Sequence, residues 1–207
     1  QLGNSSYDPN VEGDDSGWVF PEIGVFAGEY ELNVSLTSGN VQEEPTFEPV
    51  FGSVEGDVIE VSGSSQLIFG GDSEDLIDAS ISSTGNNRIY VGSNDDTVIL
   101  GMSDRIVGGA GDDKFFATSG GDNILTGGEG ADQFWIATAE IPDAANIITD
   151  FTSGEDVLGI AGLGVGFDDL NITQQDDNTL IAANGSELAI LQGFDAGMLS
   201  ADNFALV

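Results

Sequence analysis

The side chains of this chain that could do chemistry are almost all carboxylates. Of 207 residues, 37 are Asp or Glu and 3 are Lys or Arg, a formal charge of −34, and there is no Cys and no His. This excludes zinc sites built on nitrogen or sulfur, a Ser-His-Asp triad and thiol nucleophiles. Nucleic acid and anionic membrane surfaces are excluded as partners too, because both require clustered basic residues. What survives is carboxylate chemistry and metals with oxygen ligands. The spacing decides between them. Asp57, Asp75, Asp96, Asp104, Asp113, Asp122 and Asp132 each stand two residues before a large apolar residue, and Gln66 and Asn87 hold the same place before Ile68 and Ile89. Catalytic carboxylates need a cleft and one raised pKa. A ladder of equivalent loops offers neither, so the expectation is a chain without catalysis of its own. Hard oxygen ligands recurring among glycines suit calcium, Ca2+.

Those aspartates must be positioned by something that repeats as they do. Gly70-Gly71-Asp72-Ser73-Glu74-Asp75-Leu76-Ile77-Asp78 returns as Gly108-Gly109-Ala110-Gly111-Asp112-Asp113-Lys114-Phe115-Phe116, and again as Gly127-Gly128-Glu129-Gly130-Ala131-Asp132-Gln133-Phe134-Trp135. The unit is a six-residue loop followed by a three-residue strand. Glycines allow the positive φ angles that curl the loop, and alternation in the strand sends the large apolar residue inward. One such turn cannot bury that residue alone, so turns must stack. Nine turns span residues 52 to 135, with a three-residue insertion near Ala79 to Ile81 and one turn shortened near Leu100. At 40% hydrophobic residues the chain is too apolar for a disordered acidic tail, and no apolar run approaches the roughly 20 residues of a membrane span.

These nonapeptides fit the pattern GGxGxDxUx, with U a large apolar residue, and resemble the RTX, or hemolysin-type calcium-binding, repeats. The resemblance implies an all-β fold, a right-handed parallel β-roll in which two nonapeptides form one coil and alternate loops stack on the same edge. It implies calcium between stacked loops, held by loop carbonyls and the sixth-position Asp. The implied ligand set is Asp57, Gly70, Asp72, Asp75, Asn94, Asp96, Asp104, Gly108, Ala110, Asp113, Asp122, Gly127, Glu129, Asp132 and Asp156. Divided by that rule, the first edge takes the loops starting at 52, 70, 91, 108 and 127, and the second those starting near 61, 82, 100 and 117. All three full matches fall on the first edge. The second carries Ser64, Ser65, Gln66, Thr84, Asn86 and Asn87 where Gly and Asp are expected, which predicts a lopsided roll with metal concentrated on the first edge.

Around the roll of residues 51–135, the sequence predicts an N-terminal β segment and linker over 1–50 and a C-terminal β cap over 136–207. Tyr30, Leu32, Val34 and Leu36 alternate with polar residues and predict a strand over 29–36; with Tyr7-Asp8-Pro9-Asn10 upstream, this stretch resembles the closing strand of a pre-peptidase C-terminal type sandwich. Asn146 to Leu158 resembles the segment that closes RTX rolls, with Asp156 and Leu158 keeping the repeat spacing. Further strands are predicted around 170–174, 179–183 and 186–191. The ending Asp202-Asn203-Phe204-Ala205-Leu206-Val207 is similar to the C-terminal ends of RTX proteins that leave through a type I exporter. All three basic residues, Arg88, Arg105 and Lys114, follow directly after a ladder residue. The outward ninth positions read Glu60, Phe69, Asp78, Tyr90, Ile99, Val107, Phe116, Leu125 and Trp135, an apolar ridge that predicts either internal packing or self-assembly through Ile99, Phe116 and Trp135 or through strand 29–36. The functional expectation is a secreted, extracellular or cell-surface calcium-binding module that acts as a structural surface, matrix or filament component; the alternative is the export and folding tail of a larger secreted hydrolase.

Overall fold

The computed structural model describes residues 49–82 and 84–207; the expected N-terminal β segment and its strand over 29–36 lie outside the described residues. Along the chain the strands are β1 (Val50–Phe51), β2 (Val58–Glu60), β3 (Leu67–Asp72), β4 (Leu76–Asp78), β5 (Arg88–Ser93), β6 (Thr97–Met102), β7 (Arg105–Ala110), β8 (Lys114–Gly121), β9 (Ile124–Glu129), β10 (Gln133–Thr138), β11 (Asn146–Ile148), β12 (Val157–Ala161), β13 (Asn171–Gln175), β14 (Asn178–Ala183), β15 (Ser186–Leu191) and β16 (Phe204–Leu206). Up to β12 they go alternately into two sheets. The first has the order β1-β3-β5-β7-β9-β11-β15-β14-β13 and the second β2-β4-β6-β8-β10-β12-β16. Every pairing between successive coils is parallel, as in Ile68↔Ile89 and Ile77↔Val98, with the register slipping after Leu100 in the β6–β8 pair and after Trp135 in the β10–β12 pair. The result is a parallel β-solenoid whose coils each hold two repeat units, one strand in each sheet.

Alternation along the strands produces the core. Ile68, Ile89, Ile106, Leu125 and Ile148 point inward from the first sheet and meet Ile77, Val98, Phe115, Phe134 and Leu158 from the second, all of them 1% exposed or less. Phe115 and Phe134 stack ring on ring at 5.2 Å. Leu125 departs from the sequence expectation, which had it facing outward and Ile124 inward. The turn from Phe115 to Leu125 is one residue longer than the repeat. The extra residue shifts the register, so Leu125 enters the core and Thr126 takes the outward position.

Parallel stacking runs on past residue 135: β11 adds to β9 and β12 to β10. The cap then closes both sheets. β15 pairs parallel with β11 and carries the antiparallel strands β14 and β13, while β16 pairs parallel with β12. Asn184 and Gly185 turn the β14–β15 hairpin with φ of 53° and 83°, the positive angles that a two-residue hairpin favours. No helix among the described residues is long and apolar enough to cross a membrane.

Candidate metal edge

Chain passing from the first sheet to the second forms one edge of the solenoid, and chain passing back forms the other. On the first edge, successive inward residues are nine apart at four consecutive crossings: Ile68 to Ile77, Ile89 to Val98, Ile106 to Phe115 and Leu125 to Phe134. Four loops of six residues therefore stack without offset. Their second glycines, Gly71, Gly92, Gly109 and Gly128, have φ between 116° and 138°. A Cβ on any of them would collide with the carbonyl oxygen of Ser53, Gly71, Gly92 or Gly109 respectively in the loop before. Only glycine satisfies both the angle and the approach, so the loops can pile carbonyl over backbone.

The sixth residues of these loops form a continuous chain. The backbone N–H of Asp57 donates to Asp75 Oδ1 (2.8 Å), that of Asp75 to Asp96 (2.7 Å), Asp96 to Asp113 (2.9 Å), Asp113 to Asp132 (2.9 Å) and Asp132 to Asp156 (3.0 Å). From Asp75 to Asp156, one oxygen of each carboxylate is thus committed to the preceding coil. The second oxygen is not. In Asp75, Asp96 and Asp113, which are 3% exposed or less, Oδ2 is buried and has no hydrogen-bond partner. At the two ends the loop supplies one: Ser53 N–H donates to Asp57 Oδ2 (2.6 Å) and Thr152 N–H to Asp156 Oδ2 (2.7 Å).

A buried carboxylate with an unpartnered oxygen is costly as an anion, and the acidities respond. Burial is the largest cause in every case, opposed by the ladder hydrogen bond and reinforced by neighbouring carboxylates. Together these push Asp113 up to about 7 and Asp96 and Asp132 up to about 6. Burial likewise raises Asp75 and Asp156. A cation would remove the penalty. Among the described residues no three acidic side chains converge on one point, so such a cation would take carboxylate oxygens singly from the ladder and fill its shell with backbone carbonyls. Calcium, which accepts six to eight oxygens in flexible geometry, fits that donor set.

The other edge solves the same problem with amides. Its ladder runs Gln66, Asn87, Asp104, Asn123, Asn146: Gln66 N–H donates to Asn87 Oδ1 (2.9 Å), Asn87 N–H to Asp104 (2.8 Å), Asp104 N–H to Asn123 (2.9 Å) and Asn123 N–H to Asn146 (3.2 Å). Here the second atom of the side chain is a donor and mostly finds an acceptor. Asn87 Nδ2 donates to Asp104 Oδ1 (3.0 Å), and Asn123 Nδ2 donates to Gly101 O (3.1 Å) and Asn146 Oδ1 (2.9 Å). Asp104 is the one carboxylate in this ladder. It is fully buried, its Oδ2 is unpartnered and burial raises its pKa.

The expected ligands fall into distinct places. Gly70, Gly108 and Gly127 are buried at the first position of their loops, and a Cβ on Gly70 would stand 2.6 Å from Asp75 Oδ2. The third-position residues Asp72, Ala110 and Glu129 have exposed side chains; the carbonyls of Ala110 and Glu129 accept from Asn94 N–H and Gly111 N–H (2.6 and 2.8 Å). Asn94 holds the fourth position with φ 81°. Asp122 is not in the ladder. The register shift that buries Leu125 puts Asn123 there instead and leaves Asp122 exposed, accepting from Ser103 Oγ (3.2 Å). Sequence reasoning also missed Asp150, whose two oxygens accept from Gly127 N–H and Gly128 N–H (both 3.0 Å) and close the last glycine-rich loop; no glycine pattern surrounds it to signal that role.

Residues 80–102 and 115–135 match the family model of the RTX calcium-binding nonapeptide repeat. The chain carries RTX calcium-binding repeats. No curated protein matches it. Among solved structures, the RTX roll is similar to the AlgE6R3 subunit of the Azotobacter vinelandii mannuronan C5-epimerase, with 26% identity, 78% of this chain and 85% of the other covered, and a TM-score of 0.41. The AlgE6R2 subunit of the same enzyme follows with 24% identity, 78% and 94% coverage and a TM-score of 0.35. The extracellular lipase LipA of Serratia marcescens shares 15% identity over 79% of this chain and 41% of its own, with a TM-score of 0.35.

Proposed function

We propose that this chain is an extracellular module that folds on calcium, binds it along the first edge and has no catalytic activity, its rigid roll being the product. The observation that carries the reading is the row of buried, unpartnered carboxylate oxygens on Asp75, Asp96 and Asp113. Asp57, Asp132 and Asp156 complete the ladder in which bound calcium supplies the positive charge. Within it, every carboxylate from Asp75 to Asp156 holds the preceding coil by its hydrogen bond, and Asp75, Asp96 and Asp113 keep a second oxygen for the ion. With a charge of −34, repulsion opens the chain where free calcium is scarce. Extracellular calcium sites bind at about 10⁻⁴ to 10⁻³ M. At ten times the dissociation constant each site contributes about 1.4 kcal/mol, so a few sites decide whether the roll forms. Such a chain suits export unfolded and folding outside, as a surface, matrix or filament component.

Circular dichroism tests this directly. In chelator at neutral pH the β-signal is expected to be largely lost, and to return with millimolar calcium but not equally with magnesium, which demands stricter octahedral geometry. Full β-structure in a metal-free sample at neutral pH would overturn the reading.

A further inference from the structure

The chain holds 3 cationic side chains against 37 acidic ones, and two of the three stand side by side. Arg88 on β5 and Arg105 on β7 are register partners, both exposed on the outer face of the first sheet. Like charges opposite each other on neighbouring strands are destabilising. Nothing acidic flanks them in their column, whose adjoining members are Leu67 and Ile124. Beside them the rings of Phe69 and Tyr90 stack at 5.4 Å with planes 14° apart. The other face of Phe69 is covered by Phe51 at 5.2 Å. Tyr90 is 44% exposed, and an aromatic edge carries positive potential. On a polyacid, this face is built to receive carboxylates.

A matching row lies on the same molecule. Glu74, Asp95 and Asp112 occupy the fifth positions of three stacked first-edge loops and are exposed. Two of them are held in place: Asp112 N–H donates to Asp95 Oδ1 (2.9 Å) and Ala131 N–H to Asp112 Oδ1 (2.8 Å). Ordered side chains lose less entropy on docking. Both rows advance one residue per coil, about 4.8 Å, so their charges match in period as well as in sign.

We propose that the Arg88–Arg105 face docks the Glu74–Asp95–Asp112 row of a second copy of this chain. Donor and acceptor surfaces differ, so the contact is heterologous and each copy leaves one of each free, which gives open chains rather than closed dimers.

The test uses the full chain in saturating calcium, with folding of every variant confirmed by circular dichroism. Sedimentation velocity of the wild type at about 0.1 M ionic strength should show species at least twice the 21.4 kDa monomer mass. These should disperse at 1 M, where the screening length falls from about 10 Å to about 3 Å. Arg88→Ser with Arg105→Ser should be monomeric, as should Glu74→Gln with Asp95→Asn and Asp112→Asn. Mixing the two variants should restore a single contact and stop at a 1:1 dimer. A monomeric wild type, or association that survives the arginine changes, overturns the proposal. So does a wild type that stays monomeric yet binds polyglutamate through Arg88 and Arg105, which would make the face a site for a foreign polyanion.

Discussion

The two edges of the solenoid perform the same task, joining coil to coil through one side chain per turn, and they do it with opposite chemistry. On the second edge Asn87 and Asn123 use one amide atom to accept from the previous coil and the other to donate, so apart from Asp104 the ladder is neutral and largely self-sufficient. On the first edge Asp75, Asp96 and Asp113 make the same accepting bond and are left with a lone oxygen. Exchanging NH₂ for O⁻ at a buried position converts a closed hydrogen-bond ladder into one that awaits a cation. One side of the roll is therefore self-supporting, and the other is conditional.

The strongest way to break this contrast is to make the first edge resemble the second. Asp75→Asn, Asp96→Asn and Asp113→Asn together are expected to allow β-structure in chelator and to abolish the calcium dependence of the melting temperature, which for three sites in the wild type should rise by roughly 10 °C between ten and a hundred times the dissociation constant. A triple variant as calcium-dependent as the wild type would show that calcium acts elsewhere.

Next in size is the pH response of the metal-free chain. Asp113 is raised to about 7 and Asp96 and Asp132 to about 6, above the ordinary carboxylate value of 3.8. Groups raised on folding favour the folded state when protonated, so their contribution is complete below about pH 4 and disappears as pH climbs through 6 to 7. Metal-free samples should show more β-signal at pH 4.5 than at pH 8, with a midpoint between these values, and calcium should bind more tightly as pH rises. A flat profile would remove the conditional edge.

Smaller still is the difference between single truncations. Asp113→Ala and Asp104→Ala each leave a backbone N–H, of Asp96 or Asn87, without its partner, at a cost of about 1–3 kcal/mol. Only Asp113→Ala should also reduce calcium stoichiometry by titration, since it lies between two glycine-rich loops. Equal losses would place metal on both edges. The smallest expected effect is that of Asp122→Asn, outside the ladder and exposed, within about 0.5 kcal/mol of wild type in denaturant unfolding.

Much of this was legible in the residues, and the reason lies in strict periodicity. The nine-residue spacing on the first edge identified the sixth-position aspartates, both sets of stacked loops and the inward residues through Phe115. It failed at the turn after Phe115, where a single extra residue moved the ladder from Asp122 to Asn123, because Asp-Asn-Ile-Leu reads equally well in either register. The closing bonds of Asp57 and Asp156 to Ser53 and Thr152 were invisible, since a backbone N–H has no letter in a sequence. The same applies to the orphaned oxygens, which exist only through what fails to surround them.

The uneven lengths of the two sets of crossings have a consequence for how such a chain can change. First-edge crossings keep nine residues four times in succession, while those of the second edge take 9, 12, 8 and 10 between inward residues 59 and 68, 77 and 89, 98 and 106, and 115 and 125. A hydrogen-bonded amide needs only its own rung in place and ignores the length of chain between rungs; a coordination shell assembled from several carbonyls does not. Insertions and deletions are therefore free to accumulate on one side of the solenoid. That side is also where foreign peptides could be grafted, displayed in a row at the pitch of the coils.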